Sequence, residues 1–516
     1  MPSTVVATGY RFKVTQRVFD HLVEAKGVKN MPPPRLKLVD AERSVAWCKG
    51  DEIGLEVKAY DLCTTFGPDS LNALAGILAH ELTHYYEKHA WAEMFAADFS
   101  ALPSATEVAK PEDHLQQEIQ ADHLGGFLAY AAGYRTLGVM PTFLKKVYEA
   151  YGFTENMLGY PSLSDRITMA TTAMERCQEL IHVFEAANYL LALKDYQAAQ
   201  QYYQYILKDF QSREIYNNLG VTLTLQAITL FQKAEVPFIY PVELDGDSRL
   251  SRGNRGTPSQ QAPLDKETLL TSAAEHFKTA IILDKDYTLA YLNLANVYVL
   301  LQEEIDADYY VKKAMQMAQK EGQNKLLADT QVLLGILAAR GGNITEASEY
   351  FQRAEVNGSD IAATNSRVME TPTNSQVSST SNLTTNRPER IGNLSLDQLV
   401  IDLQRERLEP DFIIKIDQQA VFAKLTDEQS TILIHLLPFE EKYTFLQLAD
   451  EMYQGATNLG IELESSQQDI LDTYGKWEYE VLLAQGSYLV YLQQQLIFVL
   501  NQENEVRQWG IFRRSK

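Results

Sequence analysis

His80-Glu81-Leu82-Thr83-His84 lies within an apolar stretch whose leucines recur at positions 71, 74, 78 and 82, in steps of three and four. That period predicts a buried helix, and Gly67-Pro68-Asp69-Ser70 just before it supplies a turn and N-cap candidates. On such a helix two histidines four residues apart project from one face, one turn from each other, and can share a tetrahedral metal ion. Glu81 then stands beside the fourth coordination position. Zinc lowers the pKa of a bound water to about 7, and a carboxylate within hydrogen-bond reach can take that water's proton. With 9 histidines in 516 residues, composition alone accounts for about 0.01 such motifs, so the reading as buried, merely satisfied histidines is the weaker one.

The metal needs a third protein ligand. Glu118-Ile119-Gln120-Ala121-Asp122 offers two carboxylates four apart on a second apolar-periodic helix opening near Pro111. Glu118 would complete the zinc site, and Asp122, one turn on, would accept the remaining N–H of a ligand histidine and fix its tautomer. The competing reading is a solvated acidic helix face. A metzincin arrangement fails, because Glu87 stands where its glycine belongs and the next histidine, His89, falls one residue short. His89, His114 and His123 are therefore read as hydrogen-bonding or surface residues. Leu55 to Tyr60 alternates like a half-buried strand able to hold an extended substrate.

At this point the chain resembles the gluzincin peptidases that include the CAAX prenyl protease, the HtpX heat-shock protease and the soluble BepA-type enzymes. The resemblance spans roughly residues 10 to 180. It rests on Leu74 to His84 followed by His89, on Glu118 to Gly125, and on Tyr160-Pro161-Ser162-Leu163-Ser164-Asp165-Arg166-Ile167. It implies that His80, His84 and Glu118 bind one Zn2+ per chain, that Glu81 is the general base and that Asp122 supports a ligand. Where many members carry a histidine before the proline of the third block, this chain has Tyr160, either a hydrogen-bond donor to a developing oxyanion or a packed aromatic. Arg166 is read as an ordinary helix-start arginine, with an anchoring pair to Asp165 or Asp122 as the alternative.

The 68 acidic against 46 basic residues give a net charge of −22, which argues against a nucleic-acid partner, since phosphate binding needs a positive surface. Cys48, Cys63 and Cys177 are too few and scattered for a disulfide framework and are read as small buried residues. No run of apolar residues is long enough for a transmembrane helix. No signal peptide is visible after Met1, so the expected compartment is the cytoplasm, or the periplasm if the start is trimmed or misassigned.

From about residue 181 a tetratricopeptide template fits repeatedly. Its clearest unit has Tyr291, Leu294, Ala295, Tyr298, Ala307 and Ala314 at the small and aromatic positions. A split unit precedes it, with Tyr216, Leu219, Gly220 and Leu223 on one helix and Ala273, Phe277 and Ala280 on the other. Leu334, Gly335, Ala347, Phe351 and Ala354 mark a following unit, and Ala186, Ala187, Ala199 and Tyr203 an earlier one. Ala273 to Ala307 is a step of 34 residues, the repeat's own period. Such an array offers a groove suited to a peptide or helix.

The expected architecture is therefore mainly α: a zincin-type α+β metallopeptidase domain over 1–180, a tetratricopeptide solenoid over 181–356, a flexible linker over 357–395 and a small α+β accessory domain over 396–516. An insertion at about 234–266 is read as disordered, or else as a lid over the peptidase cleft. In the last domain, Leu394 to Arg407 and Phe445 to Gly455 look helical, whereas Phe412 to Ile416, Trp477 to Leu483 and Leu496 to Leu500 look like strands. The expected function is zinc-dependent endoproteolysis by a zinc-bound water with Glu81 as base. The resemblance points to unfolded or misassembled protein substrates, with substrates or a protein partner recruited through the repeats. The alternative is a repeat scaffold whose peptidase domain is latent or inactive.

Overall fold

The computed structural model describes residues 4–5, 9–26, 31–41, 44–87, 111–136, 138–155, 162–208, 212–246, 265–370, 389–392, 395–405, 407–427, 429–450 and 453–515. The chain divides into two compact units, one over Met1–His182 and the other holding most of the chain from Val183 onward.

The first unit carries a four-stranded sheet of β1 (Thr4–Val5), β2 (Arg35–Asp40), β3 (Ala46–Lys49) and β4 (Glu52–Glu56), in the order β1-β2-β4-β3. β2 and β4 run parallel; the other two pairings are antiparallel. Helices α1 (Tyr10–Lys26), α2 (Val57–Thr64), α3 (Ser70–Tyr86), α4 (Pro111–Ala131) and α5 (Met140–Tyr151) complete its core. Phe19 and Leu22, Leu38, Leu55, Leu74, Leu78 and Leu82, Leu128 and Phe143 meet there. Burying three of the four leucines of α3, Leu71 being exposed, contributes roughly 5 to 9 kcal/mol before chain entropy is counted, which fixes the helix that carries both motif histidines.

The strand expected over Leu55 to Tyr60 ends at Glu56. The Glu56 carboxylate accepts from the Ser44 N–H at 2.6 Å and from the Tyr151 hydroxyl at 3.1 Å. Beyond it Ala59, Tyr60 and Cys63 turn one helical face to the core. Of the cysteines expected to be buried, Cys63 is, whereas Cys48 on β3 is part-exposed.

The second unit begins within α6 (Leu163–Ala192), which pairs with α7 (Tyr196–Leu207). Three further helix pairs follow: α8 (Arg213–Thr229) with α9 (Lys266–Leu283), α10 (Thr288–Leu301) with α11 (Glu304–Glu321), and α12 (Asn324–Arg340) with α13 (Ile344–Val356). The pairs close tightly where a glycine faces a ring. A Cβ at Gly220 would lie 2.6 Å from Phe277, and one at Gly335 would lie 2.6 Å from Phe351. Residues 360–370, expected in a linker, form helix α14 (Asp360–Glu370), because Ile361, Ala362 and Asn365 are buried against the array.

An antiparallel sheet follows in the same unit: β6 (Phe412–Lys415), β7 (Val421–Thr426), β8 (Ser430–Leu437), β9 (Lys442–Ala449), β10 (Tyr479–Leu483), β11 (Gly486–Tyr491), β12 (Leu496–Leu500) and β13 (Val506–Arg514). The helix expected from Phe445 is instead β9, hydrogen-bonded between β8 and β13. Two short helices accompany the sheet, Leu396–Gln404 and Gln467–Tyr474, the latter started by a capping box between Ser466 and Asp469.

This sheet is joined to the helix pairs rather than tethered as a separate accessory domain. The Tyr189 hydroxyl donates to Gln508 Oε1 at 2.6 Å, and the Tyr202 hydroxyl meets His435 Nδ1 at 3.0 Å. A ninth strand, β5 (Glu243–Leu244), comes from the insertion and pairs in parallel with β10. The insertion's described part is therefore not disordered; Asn217, Asn218, Asn293, Asn296 and Asn365 hold its main chain. No described helix is long and apolar enough to cross a membrane.

Candidate metal centre

α3 starts after the turn Gly67–Asp69, where Gly67 has φ +60° and the Ser70 hydroxyl donates back to the Gly67 carbonyl at 2.5 Å. Over the next turns nearly every side chain is buried, and His80 and His84 are the polar exceptions facing α4, with side chains 12% and 13% exposed. Glu118, Asp122 and Gly125 share one face of α4, since their spacing of four and then three residues matches the helical repeat.

The two helices bring a compact donor set together. His80 Nε2 and His84 Nε2 stand 3.1 Å apart. Glu118 Oε2 lies 3.5 Å from the first and Glu118 Oε1 lies 3.5 Å from the second. Ligands about 2.0–2.2 Å from a tetrahedral ion are separated by roughly 3.3–3.5 Å, so these atoms need to move only slightly to share one zinc. Among the described residues, His80, His84 and Glu118 form the group close enough to do so.

The surroundings choose the tautomer. His80 Nδ1 donates to Asp122 Oδ1 at 2.8 Å, which leaves the Nε2 lone pair directed at His84 and Glu118. Asp122 in turn accepts from Arg166 Nη2 at 3.0 Å and from Arg166 Nε at 3.3 Å. Arg166 is thus the buried anchor of the Asp122 carboxylate, and its reading as an ordinary helix-start arginine is corrected.

The electrostatics favour a cation. Burial alone would push the His80 imidazole down, but Asp122 and Glu118 beside it raise it to about 10. Burial opposes ionisation of Glu118 and Asp122 as well, yet His80, together with His84 for Glu118 and Arg166 for both, holds them below their ordinary values. The carboxylates that raise His80 would also attract a metal cation to its Nε2, which would have to displace that proton. Glu81 differs: it is 8% exposed, and burial, reinforced by the charges of Glu118 and Asp122 and opposed by those of His80 and Arg166, pushes it up to about 7. A carboxylate poised near neutrality is suited to exchanging protons.

Sequence reasoning missed Gly125 as a positioning residue. A Cβ there would lie 2.9 Å from His80 N and 3.0 Å from His80 Cα, so the absence of a side chain lets α4 reach the backbone that carries the first histidine. Its spacing from Glu118 and Asp122 was the available signal. Tyr160 and His89 lie outside the described residues, as do the side chains of His114 and His123.

No protein-family model matches this chain, and no curated protein matches it. A solved structure of IFIT1, a monomeric mutant with Gppp-AAAA, is similar at 14% identity and a TM-score of 0.20, over 58% of this chain. The chain spans 66% of that protein, just under two thirds of its length.

Proposed function

We propose that the chain is a zinc-dependent endopeptidase whose first unit is a zincin-type domain of the gluzincin kind, followed in the sequence by a tetratricopeptide array. The observation that carries this reading is the donor triangle of His80, His84 and Glu118 with a buried Glu81 beside it. Zinc bound there would act as a Lewis acid on a peptide carbonyl and lower the pKa of a water to about 7. Glu81, adjacent in sequence to the ligand His80 and buried, would take a proton from the attacking water and pass it to the leaving amine nitrogen. Asp122 keeps the His80 Nδ1 proton in place, and Arg166 keeps Asp122 ionised while it does so. His84 and Glu118 complete the ligand set. Unfolded or misassembled proteins as substrates rest on the resemblance of Glu118 to Gly125 and of Tyr160 to Ile167 to those peptidases.

The test compares wild type with Glu81→Gln on an unfolded protein such as casein, after metal analysis shows that both carry zinc. Cleavage by wild type alone, abolished by a chelator and restored by zinc, supports the assignment. Equal activity in both would remove Glu81 from its role. Silence from zinc-loaded wild type would transfer the function to the scaffold alternative.

A further inference from the structure

The insertion that interrupts the helix pairs runs as an extended chain along their first helices, and its alternate residues are bound by asparagines. Ile239 donates its N–H to Asn365 Oδ1 at 2.8 Å and accepts from Asn365 Nδ2 at 2.9 Å. Pro241 accepts from Asn296 Nδ2 at 2.9 Å. Glu243 donates to Asn293 Oδ1 at 2.9 Å and accepts from Asn293 Nδ2 at 2.8 Å. Asp245 donates to Asn218 Oδ1 at 2.9 Å and accepts from Asn218 Nδ2 at 2.8 Å. The two-residue step is that of a strand, and a carboxamide aimed at both main-chain groups of a residue recognises backbone rather than a particular side chain. The segment runs from α14 towards α8, against the order of the array.

Side-chain contacts add a preference. Lys325 pairs with Glu243, the Tyr287 hydroxyl donates to Asp245 Oδ2 at 2.6 Å, and Val242 and Leu244 are buried. The face therefore accepts an alternation of apolar and acidic residues, Val242-Glu243-Leu244-Asp245.

The fit has one defect. Asn296 is fully buried, and its Oδ1 has no hydrogen-bond donor. The same carboxamide donates through Nδ2 to the Pro241 carbonyl, and proline has no N–H to return to the Oδ1, as residues 239, 243 and 245 do to their asparagines. Glu243 Oε2, also fully buried, is likewise unsatisfied. A site whose wall offers one more bond than its occupant can make is built for a better occupant. We propose that the first-helix face of the array is a binding site for an extended peptide, that Ile239–Asp245 fills it in cis as a weakened internal ligand, and that its partner is an extended segment with the same apolar and acidic alternation and an N–H where this chain has Pro241. Binding of that partner would free Glu243–Leu244 from the edge of β10. The proposal is independent of the peptidase reading, and its test uses no peptidase activity.

The experiment uses the full chain and a fluorescein-labelled peptide of residues 237–246, alongside the same peptide carrying Pro241→Ala. A tethered segment competes at an effective concentration of order millimolar, so a free peptide of about 10 µM affinity is held off by roughly 100-fold. The expected result is weak binding to wild type. Binding should be on the order of 100-fold tighter to a Val242→Ser/Leu244→Ser chain whose own segment is disabled, and lost again when Asn218→Ala and Asn293→Ala are added. The Pro241→Ala peptide should bind about 10-fold tighter than its parent, the worth of one hydrogen bond restored to a buried acceptor. No binding at 1 mM to a folded, disabled chain overturns the proposal, as does equal affinity of the two peptides. Hydrogen exchange on wild type guards against a disabled chain that fails to fold: the Glu243 and Asp245 amides should exchange at least about 100-fold faster than the core amides of α8 and α10. Exchange of all of them at one global rate would make the segment a permanent part of the core and refute the idea.

Discussion

Gly125→Ala and Gly126→Ala alter neighbouring residues of one helix and should have opposite effects. In the interior of a helix, glycine is less favourable than alanine by about 0.8–1.0 kcal/mol, so propensity alone makes both changes stabilising. At Gly126 nothing lies within 4 Å of the added Cβ, and that gain should be realised. At Gly125 the Cβ would sit 2.9 Å from His80 N, 3.0 Å from His80 Cα and 3.1 Å from Ala79 C, all main-chain atoms of α3 that cannot rotate away. Restoring ordinary contact requires α4 to retreat by roughly 0.5–1 Å, an overpacking that costs about 1–3 kcal/mol. Glu118 and Asp122 retreat with it, whereas metal–ligand distances tolerate only about 0.2 Å. Zinc affinity should then fall on the order of 10- to 100-fold, as when a supporting residue of a metal site is removed. Thermal denaturation and zinc titration against a chromophoric chelator read the two effects separately. A Gly125→Ala protein with wild-type zinc affinity and stability, or a Gly126→Ala protein as damaged as Gly125→Ala, would refute the claim that close helix approach builds the site.

Asp122→Asn removes the acceptor charge that holds His80 Nδ1–H and leaves Glu118 as the nearest carboxylate for Arg166; zinc affinity should drop about 10- to 100-fold in the same competition assay. His276 is buried, and burial lowers it to about 4. Below about pH 6.5 the unfolded chain binds a proton there that the folded chain refuses, so stability should decline from pH 6.5 to about 4 by at most roughly 3 kcal/mol, with no contribution from this group at higher pH. Urea denaturation of wild type and His276→Leu across that range should show a shallower decline in the variant. Tyr202→Phe takes the hydroxyl from buried His435 and should cost about 1–3 kcal/mol in the second unit, read as a lowered urea midpoint without a change in slope.

The candidate metal site, as a cluster of His80, His84 and Glu118, was legible because such a cluster needs fixed spacings on helices. Four residues from His80 to His84 and four from Glu118 to Asp122 each determine a shared face before any tertiary contact is known. Arg166 was legible only as an alternative, since the partner of a buried cation is chosen by packing between elements distant in sequence, here 44 residues apart. The segment from Phe445 failed for another reason. Its residues are buried without interruption, because β9 is a central strand covered on both faces, so the alternation that marks a half-buried strand is missing.

The insertion could have been read from the helix it covers. An array helix normally turns one apolar stripe to its neighbours and leaves a polar face, yet α10 reads Thr288-Leu289-Ala290-Tyr291-Leu292-Asn293-Leu294-Ala295-Asn296-Val297-Tyr298-Val299-Leu300-Leu301, apolar around its whole circumference except for two asparagines three apart. A helix of that kind has to be covered on every side. Its asparagines are then buried, and because each buried carboxamide needs partners, whatever covers them has to present main-chain groups. Within one split repeat the chain supplies such a cover, Ile239 to Asp245, at the two-residue spacing that Asn296 and Asn293 demand. The proline at 241 leaves that demand partly unmet, since Asn296 Oδ1 stays without a donor, and the proposed exchange for a better ligand rests on that defect.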